Sequence, residues 1–474
     1  MIVHKYGGTS LENPARFISA AEIVAEQHGL RRSGAMPTET VVVVSAMAGV
    51  TSRLIAGARS AAEGHDGVCR EIKTELLSRH LETARSLLRA EAERLSVCGF
   101  IEDRFHELDR LYRSIAPLGE LTARGTDAVA SFGEPLSAAI FAAVLRERGL
   151  AGRALPASEL IVTDDNFGAA NPFMEPTRIK LEERVRPLLE KGILPVITGY
   201  IGGTEKGVVT TLGRGGSDFS AALIGACLGA EEVRIWSDVD GIMTADPNLV
   251  PRARTLERLT YSEASALAHY GADVLHSKTI TPLAERGIPL RILNSLNPSH
   301  PGTLILDNGG AACERLPAIV STMGLSLIAV GTQDDSLVPA VAARALHRLG
   351  ETGVEVLMFS RSFSDHSLHL VVRDQDKDHC LKSLAGEFAG RRVPEDVRLE
   401  VKEKVATVSV AGRMDWNGKG LVSHAFAALG RLGTRAVAVA QAAGGCGVSF
   451  CIPEADMAET VRFLHHDLGL EGQP

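Results

Sequence analysis

A chain of 474 residues is too long for one ordinary domain and suits two or three. Its 45% hydrophobic content supports sizeable cores, while 4% aromatic content with abundant Ala, Val, Leu and Gly favours an α/β protein over an all-β sandwich. The formal net charge of −8, with acids and bases interspersed and no basic run, argues against a nucleic-acid-binding surface.

The N-terminus, MIVHKYGGTS, enters an apolar strand and a glycine turn without the charged start, apolar core and cleavage site of a signal peptide. No apolar run approaches the roughly 18 residues needed to cross a bilayer, so no membrane contact is expected. Seven cysteines are scattered without CxxC pairs or zinc spacing. Cys227 and Cys451 read as buried small hydrophobes, no metal site made of protein ligands alone is expected, and the compartment predicted is a reducing cytoplasm.

Residues 2–4 predict a strand that ends at Gly7-Gly8-Thr9-Ser10, and a helical pattern follows over 14–28. Residues 41–44, four valines, are a continuous apolar run, as expected of a strand buried on both faces of a parallel sheet. It ends in a small-residue turn, 45–51. From 53 to 113 the pattern is helical and charged. A strand at 193–197 leads to a glycine-rich stretch, 199–217, then a helix at 218–229 and strands at 232–236 and 289–293. The Pro/Gly cluster 297–302, with Asn308-Gly309-Gly310, reads as a linker. Two units follow, each reading strand, helix, strand, strand, helix. The first starts near Ala318 and includes strands at 354–359 and 368–372; the second starts near Val405 and includes strands at 436–440 and 448–452. Duplicated units of about 60 to 75 residues suggest small regulatory modules.

The strongest chemical signal is TTLGRGGSD at 210–218. Consecutive glycines let backbone N–H groups turn toward an anion, and Ser217-Asp218 stands where a helix should begin, so either side chain could cap it while the helix dipole attracts phosphate. Arg214 can grip a carboxylate through two parallel hydrogen bonds. The bland alternative is a glycine-rich hairpin before a capped helix. No Walker A lysine follows and no GxGxxG turn is present, so phosphate chemistry must recruit its lysine elsewhere. Lys5, directly before Gly7-Gly8, is the candidate, although a solvated strand end is an equally ordinary role for an isolated lysine.

KYGGTS at 5–10, VSAMAGVT at 44–51, FGEPLSA at 132–138, TTLGRGGSD at 210–218, SDVDGIMTADP at 237–247 and GADVLHSKTI at 271–280 occur in an order and spacing that resembles the aspartokinase family. The similarity covers essentially the whole chain. It implies an amino-acid-kinase fold, a parallel central sheet with helices on both faces, over 1–305. Two ACT-type modules of ferredoxin-like α+β structure would follow at 318–400 and 401–474, the second interleaved with the first.

The implied activity is ATP- and Mg²⁺-dependent phosphorylation of L-aspartate on its β-carboxylate. The resemblance implies that Lys5 lies on the transferring phosphoryl group and that Asp218 organises this lysine and magnesium. Arg214 should take the α-carboxylate of aspartate and Glu134 its α-ammonium, with Ser45, Thr51 and Ser217 in the same pocket. Gly7 and Gly8 should surround the phosphates, and Ser237, Asp238, Met243, Asn248 and Asp273 fall where the family contacts nucleotide. In the first module Ser360, Arg361, Ser362 and Asp365 resemble an effector turn, and Gln441 is its counterpart in the second. Lysine or threonine is the implied effector, and a homodimer or higher homo-oligomer is expected through the modules. With the chain stopping near 474, no fused homoserine dehydrogenase is expected.

Departures cluster on the nucleotide side. Asn248 stands for a usual arginine and Asp273 for a lysine, a charge reversal beside a polyphosphate for which Lys278 is a candidate substitute. Ser237 for threonine and Tyr6 for phenylalanine are milder. Arg361 replaces a common glutamine, and Ala442-Ala443-Gly444-Gly445 a serine-rich acidic stretch. Two alternatives stay open: an acyl-phosphate kinase for another amino acid, and a non-catalytic amino-acid sensor with ACT modules.

Overall fold

The computed structural model describes residues 1–29, 39–271, 275–307, 317–389, 397–412, 420–441 and 447–471. The chain divides into two compact units. The first comprises Met1–Ile242, Glu257–Tyr261 and Val274–Gly310; the second comprises Met243–Leu256, Ser262–Asp273 and Ala311–Pro474. Residues 243–256 and 262–273, inside the segment 1–305 read from the sequence as catalytic, therefore group with the C-terminal residues.

The strands of the first unit are β1 (Ile2–Tyr6), β2 (Thr40–Val44), β3 (Gly152–Leu155), β4 (Val162–Thr163), β5 (Leu194–Thr198), β6 (Ile201–Thr204), β7 (Val209–Thr211), β8 (Glu232–Ser237), β9 (Arg258–Thr260), β10 (Leu290–Asn294) and β11 (Thr303–Leu306). Its helices begin with α1 (Pro14–Gly29), α2 (Val50–Ala62), α3 (Asp66–Leu87), α4 (Glu91–Ile115), α5 (Ala123–Ala130) and α6 (Gly133–Glu147). They continue with α7 (Met174–Arg184), α8 (Arg186–Glu190), α9 (Gly216–Leu228), α10 (Tyr261–His269), which runs on into the second unit, and α11 (Ser277–Ala284).

Eight strands form one sheet in the order β3-β5-β2-β1-β8-β10-β11-β9. Every neighbouring pair is parallel except β10–β11. The valines of β2 are fully buried, as the unbroken apolar run predicts for a strand covered on both faces. In β1, Lys5 is paired with Val43 on one side and Ile235 on the other, one residue before the end of the central strand. Tyr6 is fully buried beneath the sheet, stacked on Trp236 and tilted against Phe141 of α6, with ring centroids 5.9 and 5.7 Å apart. The stretch Ala123–Glu147 is long and apolar enough to cross a bilayer by length and composition, contrary to the sequence reading, but 83% of its most apolar window is buried inside the protein.

The cluster 297–302, read above as a linker, is the turn of the β10–β11 hairpin, in which Leu290 pairs with Ile305 and Ile292 with Thr303. Gly302 has φ +65°, and a Cβ there would lie 2.0 Å from the Ile292 carbonyl oxygen, so close backbone approach demands this glycine. Asn308-Gly309-Gly310 lies outside the described residues.

The second unit contains β12 (Ala318–Gly331), β13 (Met358–Ser362), β14 (Ser367–Arg373), β15 (Arg398–Ala411), β16 (Ala438–Gln441) and β17 (Gly447–Pro453), with α12 (Val338–Glu351), α13 (Lys377–Phe388), α14 (Leu421–Leu432) and α15 (Met457–Asp467). The sheet is antiparallel, in the order β13-β14-β12-β15-β17-β16. Strands β12 and β15 each belong to both modules. Ile328 and Val330 share a core with Leu370, Val341 of α12 and Leu384 of α13, whereas Ile319 joins Val408, Val410 and Phe450 under α14 and α15. A register shift after Thr322 separates the halves.

Two strand boundaries differ from the sequence reading. The first hairpin strand is 358–362 and not 354–359, because Val354 and Val356 pack against the α12–α13 core before pairing begins. Strand β15 starts at Arg398 and not near Val405; residues 398–402 pair with 327–331, and Leu399 packs against the α12–α13 core.

Candidate active site

The carboxyl ends of β1, β2 and β5 open onto a cleft of ≈ 540 Å³. Its lining includes Lys5, Gly8, Ser45, Thr51, Glu134, Arg214, Ser217 and Asp218, which the sequence reading had collected from four separate motifs. Crevices outside the strand carboxyl ends are where open α/β sheets bind ligands. Nζ of Lys5 lies 2.5 Å from Oδ1 of Asp218, with both side chains largely withdrawn from solvent. Gly7 is adjacent, since a Cβ on it would be 3.5 Å from Lys5 Nζ, and a Cβ on Gly8 would be 3.1 Å from the Ala46 carbonyl oxygen.

Helix α9 begins at Gly216, two residues before the predicted start. Gly215, at φ +70°, is its N-cap, so neither Ser217 nor Asp218 caps it; both fall in its first turn. Helix α2 starts in the same way behind Gly49, at φ +78°, with Thr51 in its first turn. Two helix N-termini thus line the cleft, each bringing the positive end of a dipole. Among the charged side chains, Lys5 and Arg214 stand with Glu134 and Asp218.

Glu134 is 3% exposed, and its Oε2 has no hydrogen-bond partner among the described residues. Burial pushes its carboxyl up to about 8, against the N–H groups of Glu134 and Ala46, which pull it down. An uncompensated carboxyl lining a cleft awaits a cation or holds a proton.

Ser237 ends β8, Asp238 follows it, and neither lines the cleft; the Ser237 hydroxyl donates to Asp238 at 3.1 Å. Met243 and Asn248 belong to the second unit, where Met243 bridges to Thr255 and Asn248 donates its N–H and side-chain amide to Asp246 at 2.9 and 3.0 Å. Asp273 lies outside the described residues, and Lys278 is exposed on the first turn of α11. Of the effector-turn residues, Ser360, Arg361 and Ser362 sit on β13 and Asp365 in the following turn. The Arg361 guanidinium donates to Asp335 at 2.8 Å and lies 4.4 Å from the Phe363 ring centroid. Arg361 and then His366 hold the Asp335 carboxyl below its ordinary value. Gln441 ends β16; residues 442–445 lie outside the described residues.

Sequence reasoning missed Tyr200, which lines the cleft with φ +67°. A bulky residue in the left-handed region is uncommon and concentrates at functional sites, but only a glycine-rich context hinted at it. A second cavity of ≈ 500 Å³ lies between α4, α6 and β3. Its two guanidiniums, Arg104 and Arg146, are each paired with a carboxylate, Glu107 and Glu93.

Residues 1–294 match the model of the amino acid kinase family. The chain is 32% identical to chloroplastic aspartokinase 1 of Arabidopsis thaliana, over 98% of this chain and 79% of that protein. It is 30% identical to a bifunctional aspartokinase/homoserine dehydrogenase of Haemophilus influenzae over 99% of this chain, but spans only 56% of that relative's length. Among solved structures, E. coli aspartokinase III is 27% identical. Its R-state complex with aspartate and ADP superposes with a TM-score of 0.83, covering 99% of this chain and 100% of that one. Its T-state complex with lysine and aspartate gives 0.76, covering 99% of each.

Proposed function

The chain belongs to the amino acid kinase family and, within it, to the aspartokinases, and on that premise we propose that it transfers the γ-phosphoryl group of ATP to the β-carboxylate of L-aspartate, giving 4-phospho-L-aspartate and ADP. The observation that carries this reading is the Lys5–Asp218 ion pair, in a cleft also lined by Arg214 and Glu134. A zwitterionic amino acid offers its α-carboxylate to Arg214 and its α-ammonium to Glu134, leaving its side-chain carboxylate for Lys5. Ser45, Thr51 and Ser217 contribute hydroxyls on the same walls.

Both substrates are anionic, so their approach requires positive charge at the meeting point. The Lys5 ammonium and the first turns of α2 and α9 supply it where charge spreads over the transferring phosphoryl oxygens. An aspartate side chain is ionised at neutral pH, so the nucleophile needs no protein base. Magnesium, arriving with the nucleotide, supplies further neutralisation of phosphate charge. Asp218 is the group suited to hold it: apart from the Lys5 ion pair, its buried Oδ1 has no hydrogen-bonding partner among the described residues. Gly7, Gly8, Ser237 and Asp238 are assigned to the nucleotide.

Feedback control through the second unit, by lysine or threonine, belongs to the same proposal, as does self-association through it. The lysine complex of E. coli aspartokinase III supports the first, and exposed Phe359 and Phe363 at the β13 hairpin support the second. The reaction would open a route to amino acids of the lysine, threonine and methionine type, in the cytoplasm. A hydroxamate-trapping assay tests the reading with aspartate, glutamate and N-acetylglutamate in parallel, each with Mg-ATP and with or without lysine and threonine. Product from aspartate alone is expected; product from glutamate and not aspartate overturns the substrate assignment.

A further inference from the structure

Asp127, on α5, is 1% exposed and lies outside every motif that identifies the cleft. Its Oδ2 accepts the backbone N–H groups of Gly168 and Thr211, each at 2.9 Å, and its Oδ1 accepts the Thr211 hydroxyl at 2.8 Å. A buried carboxylate with three donors from two separate segments is a strong constraint on both, because each donor would otherwise be stranded in a low-dielectric interior.

The two segments reach the cleft. Gly168 lines it directly, and Thr211 stands three residues before Arg214. They are also tied to each other: Ala170 N–H donates to the Thr211 carbonyl at 2.9 Å, and a Cβ on Gly213, at φ +77°, would come within 3.1 Å of the Gly168 carbonyl oxygen. Leu212, the residue after Thr211, donates its backbone N–H to the Tyr200 carbonyl at 2.9 Å, and Tyr200 lines the cleft. Tyr200 in turn abuts the start of α9, since a Cβ on Gly216 would be 2.8 Å from its Cδ2.

We propose that Asp127 is a positioning residue for the amino-acid end of the cleft: through Gly168, Thr211 and Tyr200 it fixes the wall from which Arg214 reaches the α-carboxylate of the substrate. This rests on the reading of the cleft as an aspartate site. None of the hydrogen bonds of Asp127 named here goes to the strand ends around Lys5, Gly7 and Gly8, so the nucleotide end is left undisturbed when the network is cut.

Steady-state kinetics on the full-length protein test it, with aspartate and Mg-ATP varied separately. Asp127→Asn keeps the volume but turns one acceptor into a donor facing donors. It is expected to raise the KM for aspartate by about tenfold or more while the KM for ATP stays within about twofold. A merely structural loosening raises both together, and that result, or an unchanged KM for aspartate, overturns the proposal. If Asp127→Asn does not fold, Thr211→Ser and Thr211→Val decide. Serine keeps the hydroxyl and should retain the wild-type KM for aspartate, valine should raise it, and equal behaviour of the two overturns the proposal. A wild-type enzyme that ignores aspartate overturns the functional reading and this proposal with it. Wild-type turnover of aspartate with an unaltered variant KM overturns this proposal alone.

Discussion

Oγ1 of Thr244 lies 2.9 Å from Nε2 of His465, and both side chains are fully buried. The same hydroxyl oxygen accepts the Arg254 N–H at 2.9 Å. Burial pulls His465 below its ordinary value, which keeps the ring neutral. This bond, together with Ala245 and Val250 in the core beneath α15, makes the segment that carries Met243 and Asn248 a structural part of the second unit. Thr244→Val strands the imidazole and the Arg254 N–H. It is expected to cost about 1–2 kcal/mol in denaturant unfolding. An unfolding midpoint equal to that of the wild type would show that this bond does not hold the segment in the second unit.

Glu134 sets a pH dependence for aspartate. Its carboxyl is protonated in the empty cleft below about 8, and an α-ammonium requires it ionised, so binding releases a proton. The KM for aspartate should therefore fall as pH rises from 6 toward 8 and level off above. Glu134→Gln should raise that KM by about tenfold or more and abolish the slope. A wild-type KM that is flat across this range contradicts the assignment of Glu134 to the ammonium.

Tyr6 buries its hydroxyl beneath the central sheet with no hydrogen-bond partner among the described residues. The family's usual phenylalanine would fill the same aromatic stack without that penalty. Tyr6→Phe should stabilise the protein by about 1 kcal/mol, read as a raised Tm; a lowered Tm would mean that the hydroxyl is satisfied.

Gly215 holds φ +70° at the N-cap of α9, where a Cβ would meet the Cβ of His276 at 2.6 Å. Gly215→Ala combines backbone strain with a clash and should cost about 1–3 kcal/mol. Because the first turn of α9 carries Ser217 and Asp218, kcat should fall as well. Full activity with native stability would show that the turn tolerates a side chain.

The cleft was legible in the sequence because its chemistry is local to short motifs: a lysine near the end of an apolar strand that runs into two glycines, and an arginine inside a glycine loop. The parallel strand β2, buried on both faces, announced itself as an unbroken run of four valines. What could not be read depends on distant partners. Asp127 meets Gly168 and Thr211, 41 and 84 residues away, and by itself looks like any solvated helix acid. Ala245 and Val250 find their core with Leu464 and Leu468, so nothing near them in the chain marks them as part of the second unit. The turn at 297–302 has the composition of a linker, and only the pairing of β10 with β11 makes it a hairpin. The start of β15 was hidden because Leu399 and Val401 alternate with charged residues over only a few positions, and pairing with 327–331 makes the strand.

The most direct test of the catalytic assignment is kcat for aspartate-dependent phosphoryl transfer in Lys5→Ala, measured beside its thermal unfolding. Loss of the ammonium that stands 2.5 Å from Asp218 should lower kcat by about a thousandfold or more while the protein remains folded. Near-normal turnover in a folded Lys5→Ala enzyme would contradict it.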